Sequence, residues 1–520
     1  MKTLFVALAA LVVSYGQTAT PVMSDTAAAR FLDQATWGPT PASIAQLQQM
    51  GIANWLQAQF AMNTSDLPNQ PVIGPTGKPY TALADVQRAF FANALTQPDQ
   101  LRQRVAFALS EIWVVSQLGG VQYAYAFPPY WRIFRDNAFG NYRDIIQAVT
   151  LNPAMGRYLN MANNNKADPS GRTSANENYA RELLQLFTLG LTQLNADGTP
   201  VVDANNNPVP TYDEAVIPQM AKVFTGWTYP AAPKHKAGAN NPPYYMGQMY
   251  AVEFNHDETQ KSIFGGNVIP AGQTAEQDLQ MTLDDLMNQP TMAPFVCEQL
   301  IQHLVTSNPS PAYIGRVSKV FLNDGNGVKG NLEAVITAIL TDPEARAGDE
   351  PSAVTAGAAT FGHLREPILF LAGILRGLNA TLGNSSAIQM YAAQLGQDLF
   401  RAPSVFSYFS PQYRLPNGEL APEFQLQSTA AASFRADIVN RVLYGKLDAS
   451  TKVDLSAFAA KAGDAGSLAD SISYVFFHHA MPAAVTQQVE AAAEAQATAL
   501  AKAQAALYVA LTSSEYQVVQ

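Results

Sequence analysis

Apolar positions along this chain recur mostly three and four residues apart, the spacing of one helix face. Ser24-Asp25-Thr26 offers an N-cap for a helix over 27–35, and Thr40-Pro41 opens another through Met50. Gly51 interrupts it before a further helix over 52–61. Residues 63–80 are rich in Pro, Gly and Asn without period, which predicts a loop. Helices are expected at 81–95 and 98–118, with Gly119-Gly120 as a stop, then over 128–139 and 142–151. The stretch 163–173 is a polar loop. Between Leu191 and Tyr212, short apolar pieces alternate with Asp-Gly and Asn-rich turns, which predicts a small β-hairpin. A helix over 211–224 should bend at Pro218. Residues 229–250 read as a loop and 251–270 as turn-rich. Helical spacing returns at 274–287, 290–306, 310–322, 329–341, 365–378, 386–400, 427–444 and 466–478, and an Ala-rich helix covers 485–511. Residues 346–358 look like a linker, and 404–425 are irregular and aromatic-rich. The pattern predicts a predominantly α chain: a large multi-helix globular fold with a small β-hairpin insertion. Two helical regions, 24–345 and 359–520, are expected to pack as one unit.

One stretch departs from this apolar background. In Asn176–Gly190, residues Tyr179, Leu183, Leu186, Phe187 and Gly190 share a face, while Asn178, Arg181, Glu182 and Gln185 form a polar stripe. Glu177 joins the edge of that stripe one turn before Arg181. Charged residues make up 14% of the chain, so two Glu, one Arg and two Asn within seven residues are a local concentration. A capping box of Ser174 with Glu177, and i,i+4 pairs of Glu177 with Arg181 and Asn178 with Glu182, would explain part of it without chemistry. They account for Glu177 better than for the rest of the cluster. Glu177 and Glu182 are therefore candidate acid–base residues, with Asn178 and Arg181 as candidate substrate contacts.

Composition narrows the setting. The 520 residues are 48% apolar, enough for a large core. Net charge is −10 with no basic cluster, which excludes counterion-releasing contact with nucleic acid as a main function. Met1-Lys2, the apolar run Leu4–Val13 and Ser14-Tyr15-Gly16 have the form of a secretory signal peptide over 1–16, with cleavage after Ala19 as the alternative. That run is too short to span a bilayer, and no other stretch approaches a span. The expectation is an exported chain, periplasmic or extracellular. Cys297 is the single cysteine, so no intramolecular disulfide exists, and its apolar helical setting suits a buried thiol.

Other residues with chemical capacity lie outside the central stretch. His256-Asp257, near Lys261, sits in a turn-rich segment where an imidazole beside carboxylates can serve as base or metal ligand. With Glu177 and Glu182 it could complete an oxygen/nitrogen site for a divalent metal, although no metal motif supports one. A capped turn is the plain alternative. Trp227, after Thr225-Gly226, is either a ligand wall or part of the core. Thr211 and Glu214 fit a second capping box. The loops at Asp203–Asn207 and Asn323–Gly327 lack essential Ca²⁺-loop ligands and read as turns. His303, His363, His478 and His479 fall in or at the end of helical patterns, where packing or capping is the default.

The order of several motifs resembles the bacterial exported family catalogued as domain of unknown function 1800. The carrying residues are Ala28–Leu32 with Ala35–Thr40, Asn176–Gly190, Tyr212-Asp213-Glu214, Phe224–Trp227, His256-Asp257 with Lys261, Arg365-Glu366-Pro367, Leu395-Gly396-Gln397 and Arg401–Phe406. The resemblance implies export, a mostly helical fold and a co-exported partner that looks like the sulfatase and alkaline phosphatase fold. It implies no reaction. Two functions then compete. One is a hydrolase or lyase acting on an extracellular polymer, with Glu177, Glu182, His256 and Asp257 catalytic and Asn178, Arg181, Trp227 and Lys261 binding substrate. The other is a non-catalytic binding or assembly protein in which the same groups form a buried network.

Overall fold

Ser24 Oγ accepts a hydrogen bond from Ala27 N at 3.1 Å and so starts the first helix, Asp25–Ala35. The computed structural model describes residues 23–350, 361–384 and 386–519. The expected leader over 1–16 and most of the linker-like stretch lie outside the described residues. Within them the chain is helical, with three two-stranded antiparallel sheets. One continuous apolar core runs from Ala28 to Tyr516, so the N-terminal and C-terminal helices share it.

Many expected helices form, with ends set by local chemistry. The helix Pro41–Phe60 is kinked where Gly51 adopts φ 74°, ψ 157°. The helix expected over 98–118 stops at Ile112, as Gln100–Ile112. The Ala-rich stretch is two helices, Ala483–Glu494 and Ala499–Thr512, because Thr498 accepts from Ala501 N and restarts the chain. Arg365 and Glu366 precede the helix Pro367–Gly377 rather than belonging to it. His363 stands in a strand, not in a helix. In place of a single hairpin, residues 192–210 form three antiparallel bridges, Thr192↔Pro210, Leu194↔Pro200 and Val202↔Pro208. Prolines at these positions cannot donate to a ladder, so no continuous strand develops.

The central stretch folds differently from a plain α-helix. Asn178–Glu182 is α-helical, and Leu183–Thr188 continues as a π-helix. The Ser174–Glu177 capping box does not form. Asn176 Oδ1 instead accepts from Asn178 N at 3.0 Å. The second capping box is also absent: Asp213 Oδ1 accepts from Ala215 N, and the next helix is Val216–Val223. Pro218 then lies in its first turn, where a missing N–H costs little.

The N- and C-terminal parts meet at a buried ion pair. Arg365 donates to both oxygens of Asp33 at 2.8 and 2.6 Å, and its Nε donates to the Tyr516 carbonyl at 2.9 Å. His478 Nε2 lies 2.9 Å from Asp33 Oδ2. Arg435 donates to the Arg365 carbonyl at 2.7 Å and to Gln517 Oε1 at 2.8 Å. His363 and Leu364 pair antiparallel with Val519 and Val518. Five distant segments are thereby tied together around Asp33 and Arg365.

The surrounding groups hold the Asp33 carboxyl far below the ordinary carboxylate range. Its burial opposes ionisation, and the charge of Arg365 and the His478 contact outweigh that. Burial likewise lowers His478, against the pull of Asp33. Both groups bind fewer protons folded than unfolded, so stability is present at neutral pH and is lost as pH falls. The His478 part goes from about pH 6.5 downward and the Asp33 part from about pH 4 downward, their unfolded values. We expect the melting temperature to fall through this range, and His478→Gln to flatten its upper section. Asp33→Ala, which strands Arg365, should cost about 3–5 kcal/mol in urea unfolding.

Candidate functional site

Each residue singled out in the sequence has a definite place. Arg181 lies on the surface between two carboxylates, 3.3 Å from Glu177 and 3.0 Å from Glu214. Such partly exposed pairs contribute at most about 1 kcal/mol. Asn178 is exposed, and Glu182 is half-buried, its carboxyl raised by burial against the opposing charge of Arg181.

His256 is elsewhere, fully enclosed beneath Thr225-Gly226-Trp227. Its Nε2 lies 3.1 Å from Asp278 Oδ2, and its Nδ1 lies 3.0 Å from the Thr225 carbonyl. Lys261 Nζ sits 2.6 Å from the same Asp278 oxygen and donates to the carbonyls of Asp257 and Thr259. Asp257 accepts from Thr259 N at 2.9 Å, which is the capped-turn alternative. Gly226 is required here: at φ +84° a Cβ would stand 3.0 Å from His256 N. Trp227 is 2% exposed and so belongs to the core rather than to a rim. The His256–Asp278–Lys261 group is a fully buried polar network in which, among the described residues, only Asp278 Oδ1 lacks a partner.

A different cluster has the properties of a site. The helix Gln100–Ile112 packs against the helices Phe127–Asp136 and Met292–Leu304. It carries Arg104 and Glu111, and Met292–Leu304 carries His303. Glu366 arrives from the residue before Pro367, and Gln397 from the turn after the helix Ala387–Gln394. Glu111, His303 and Glu366 bring ligand atoms within 4.8 Å of one another. Gln397 accepts from Ile368 N at 2.8 Å, which turns its amide nitrogen towards both carboxylates. That nitrogen donates to Glu111 at 2.9 Å and to Glu366 at 2.5 Å.

The cluster is buried yet incompletely bonded. Glu111 Oε2, His303 Nδ1 and Glu366 Oε1 have no hydrogen-bond partner among the described residues, nor do Arg104 Nε and Nη1 or either ring nitrogen of His363. Buried polar atoms are normally satisfied, so this density of exceptions in one place is unusual. Burial raises both carboxyls: Glu111, pushed further by the neighbouring Glu366, lies well above the ordinary range, and Glu366 is raised by burial against the pull of Arg104 and of its contact with Glu111. Burial, with the nearby charges of Arg104 and His363, lowers His303 to about 3. Around it Glu423 lies 3.6 Å from His363 Nδ1 and accepts from Ser307 at 3.1 Å.

Two narrow cavities reach this cluster. One, about 20 Å³, lies between Phe107, Glu111, Trp131, Phe400 and Tyr408, and the other, about 30 Å³, between Glu111, Leu186, His303, Phe406 and Phe409. Each has room for a water or two. Their shared wall is Glu111 and Ser407. The covering segment is held at Ser116, which donates to the Ala402 carbonyl at 2.7 Å, and at Tyr408, which donates to the Asp398 carbonyl at 2.9 Å. Phe400 and Ser407 adopt φ of 66° and 65°, strained for residues with a side chain. The central stretch does contribute, through Leu186 on the second cavity wall. The π-helical turn, which often marks functional positions, sets where Leu186 falls, and Phe187 stacks 4.5 Å from Trp113.

Sequence reasoning missed this centre because its members are single residues far apart. The available signal was the motif set itself: Arg365-Glu366-Pro367, Leu395-Gly396-Gln397 and Arg401–Phe406 converge on one place.

Stability separates the two groups of residues. Asp278→Asn should cost about 3–5 kcal/mol, because Lys261 is left buried without its charged partner, and His256→Ala about 1–3 kcal/mol, because Asp278 loses one contact but keeps Lys261. Glu182→Gln should change stability by less than about 1 kcal/mol. Thermal and urea unfolding of the three variants measure this directly.

Comparison with known proteins adds a family and no activity. No curated protein matches the chain, and no solved structure does. A family model described as protein of unknown function, DUF1800, matches residues 30–518, a span that takes in the second half of the first helix, the central stretch and every member of the buried cluster. The chain belongs to the DUF1800 family.

Proposed function

We propose that this protein is a hydrolase whose reacting centre is the Glu111–Glu366–His303 cluster, acting on a linkage of an extracellular polymer. The observation that carries this reading is the set of unpartnered polar atoms, one each from Glu111, His303 and Glu366, buried together where Glu111 lines two cavities and His303 one of them. Hydrolysis needs a group that takes a proton, a group that gives one, and space for water. Two carboxyls and a neutral imidazole supply the first two, and the cavities supply the third. Phe406 lines the second cavity and is 47% exposed, so it marks the side from which a substrate would approach, with the covering segment moving aside to admit it. Glu177, Asn178, Arg181 and Glu182 lie on a polar surface that would contact an extended chain outside the centre. His256, Asp257 and Lys261 are read here as structural.

The alternative is a binding or assembly protein that works with a co-exported, sulfatase-like partner. It is favoured by Gln397, whose amide joins both carboxylates as in a purely structural network.

The two readings differ in what neutralising a carboxylate does. On a panel of chromogenic carboxylic esters, phosphate esters and glycosides, the hydrolase reading expects turnover that falls at least about 100-fold in Glu111→Gln and Glu366→Gln. Glu177→Gln should keep turnover within about twofold, as a distant group that only aids binding. Turnover that follows Glu177 or Glu182 and ignores Glu111 would move the reaction to the surface cluster. Raised melting temperatures in both Gln variants with turnover untouched would favour the structural network.

A further inference from the structure

We infer that Glu111, His303 and Glu366 bind a divalent first-row transition metal, the ion that would activate water in the hydrolase reading on which this inference rests. Three observations converge on it. The first is geometry: one ligand atom from each residue lies within 4.8 Å of the others, close enough to share a single ion. The second is the unsatisfied state of Glu111 Oε2, His303 Nδ1 and Glu366 Oε1 inside the protein, with the side chains of Glu111 and Glu366 almost wholly buried. Glu111 Oε2 and His303 Nδ1 approach to only 3.5 Å, and one cation between them and Glu366 Oε1 would satisfy all three at once.

The third is charge. Glu111, Glu366 and Glu423 face the guanidinium of Arg104, and the imidazoles of His303 and His363 stand beside them. A metal takes these carboxylates as anions, and three of them with one guanidinium sum to a net charge of about −2, which a divalent ion offsets. The charge of Arg365 is already committed to Asp33. A divalent ion restores neutrality.

The donor set also selects the ion. Two carboxylate oxygens and one imidazole nitrogen suit Zn²⁺, Mn²⁺ or Fe²⁺, whereas Ca²⁺ asks for six to eight oxygens, and Mg²⁺ for an octahedron of oxygens. Three protein ligands with an adjoining cavity of water size match a catalytic rather than a closed structural arrangement. Gln397 holds the carboxylates in place as an outer partner, itself fixed by Ile368 N.

The test uses the full chain, purified without added metal, stripped with a chelator and titrated with Co²⁺, Zn²⁺ and Mn²⁺. We expect one equivalent bound, a visible Co²⁺ spectrum shifted from the aqueous ion, and a rise in melting temperature on loading. Glu111→Gln, Glu366→Gln and His303→Ala should each weaken binding by at least about tenfold, while Glu214→Gln on the surface leaves it unchanged. The Gln variants keep side-chain volume and remove like charge, so they should fold; the loss of the metal-induced rise is then read against their own metal-free melting temperature. Absence of binding by wild type, or binding equally strong in all three variants, overturns the inference. Metal binding without hydrolysis supports the inference while removing the hydrolase reading. Hydrolysis by chelated protein that still dies in Glu111→Gln does the reverse.

Discussion

The Asp33–Arg365 ion pair is the constraint on which the rest of this structure depends. It is buried, bidentate and joined by His478, Tyr516 and Arg435. A buried pair is not by itself a source of net stability, because desolvation offsets the attraction. What it supplies is registry. The first helix, the strand at 363–364, the helix Thr429–Leu443 and the segment at 516–519 can satisfy their charges only in this one arrangement.

Registry matters because Glu366 is the next residue after Arg365. In extended chain, neighbouring side chains leave on opposite sides, so a guanidinium fixed towards Asp33 sends the following carboxylate the other way. There it meets Glu111, with Gln397 between them. Pro367 then starts a helix at once, so the turn between pair and cluster has little freedom. The three-residue motif Arg-Glu-Pro is thus a joint with a structural side and a chemical side.

How much of this could be read from the sequence follows from the range of the interactions. Helices, the cap at Ser24 and the break at Gly51 are local events, and local patterns predict most of them; the restart at Thr498 is equally local, but the Ala-rich run on either side hides it. The capping boxes at Ser174 and Thr211 were equally legible as patterns, yet Asn176 and Asp213, one or two residues away, took the backbone donors instead. A sequence window weighs such near-equal competitors poorly. The polar stripe of Asn178, Arg181 and Glu182 was correctly seen as polar, but polarity on a helix is also what a solvated surface produces. Glu111 and His303 carried no distinguishing local signal, since each is one of several polar residues on its helix. Only the fold brings them within reach of Glu366.

The arrangement also sets an order of assembly. Asp33 is made early, while His478 follows it by 445 residues. At roughly 5–20 residues per second, synthesis leaves Asp33 without its imidazole for roughly 20–90 s. Arg365 and Glu366 emerge within that interval, but the carbonyls that fix Arg365 belong to Tyr516 and Gln517. The two carboxylates of the cluster therefore cannot be locked at their final spacing by local folding alone. The spacing of Glu111 and Glu366 arrives last, after residues 516 and 517 are made, and an incomplete product has no means of acquiring it early.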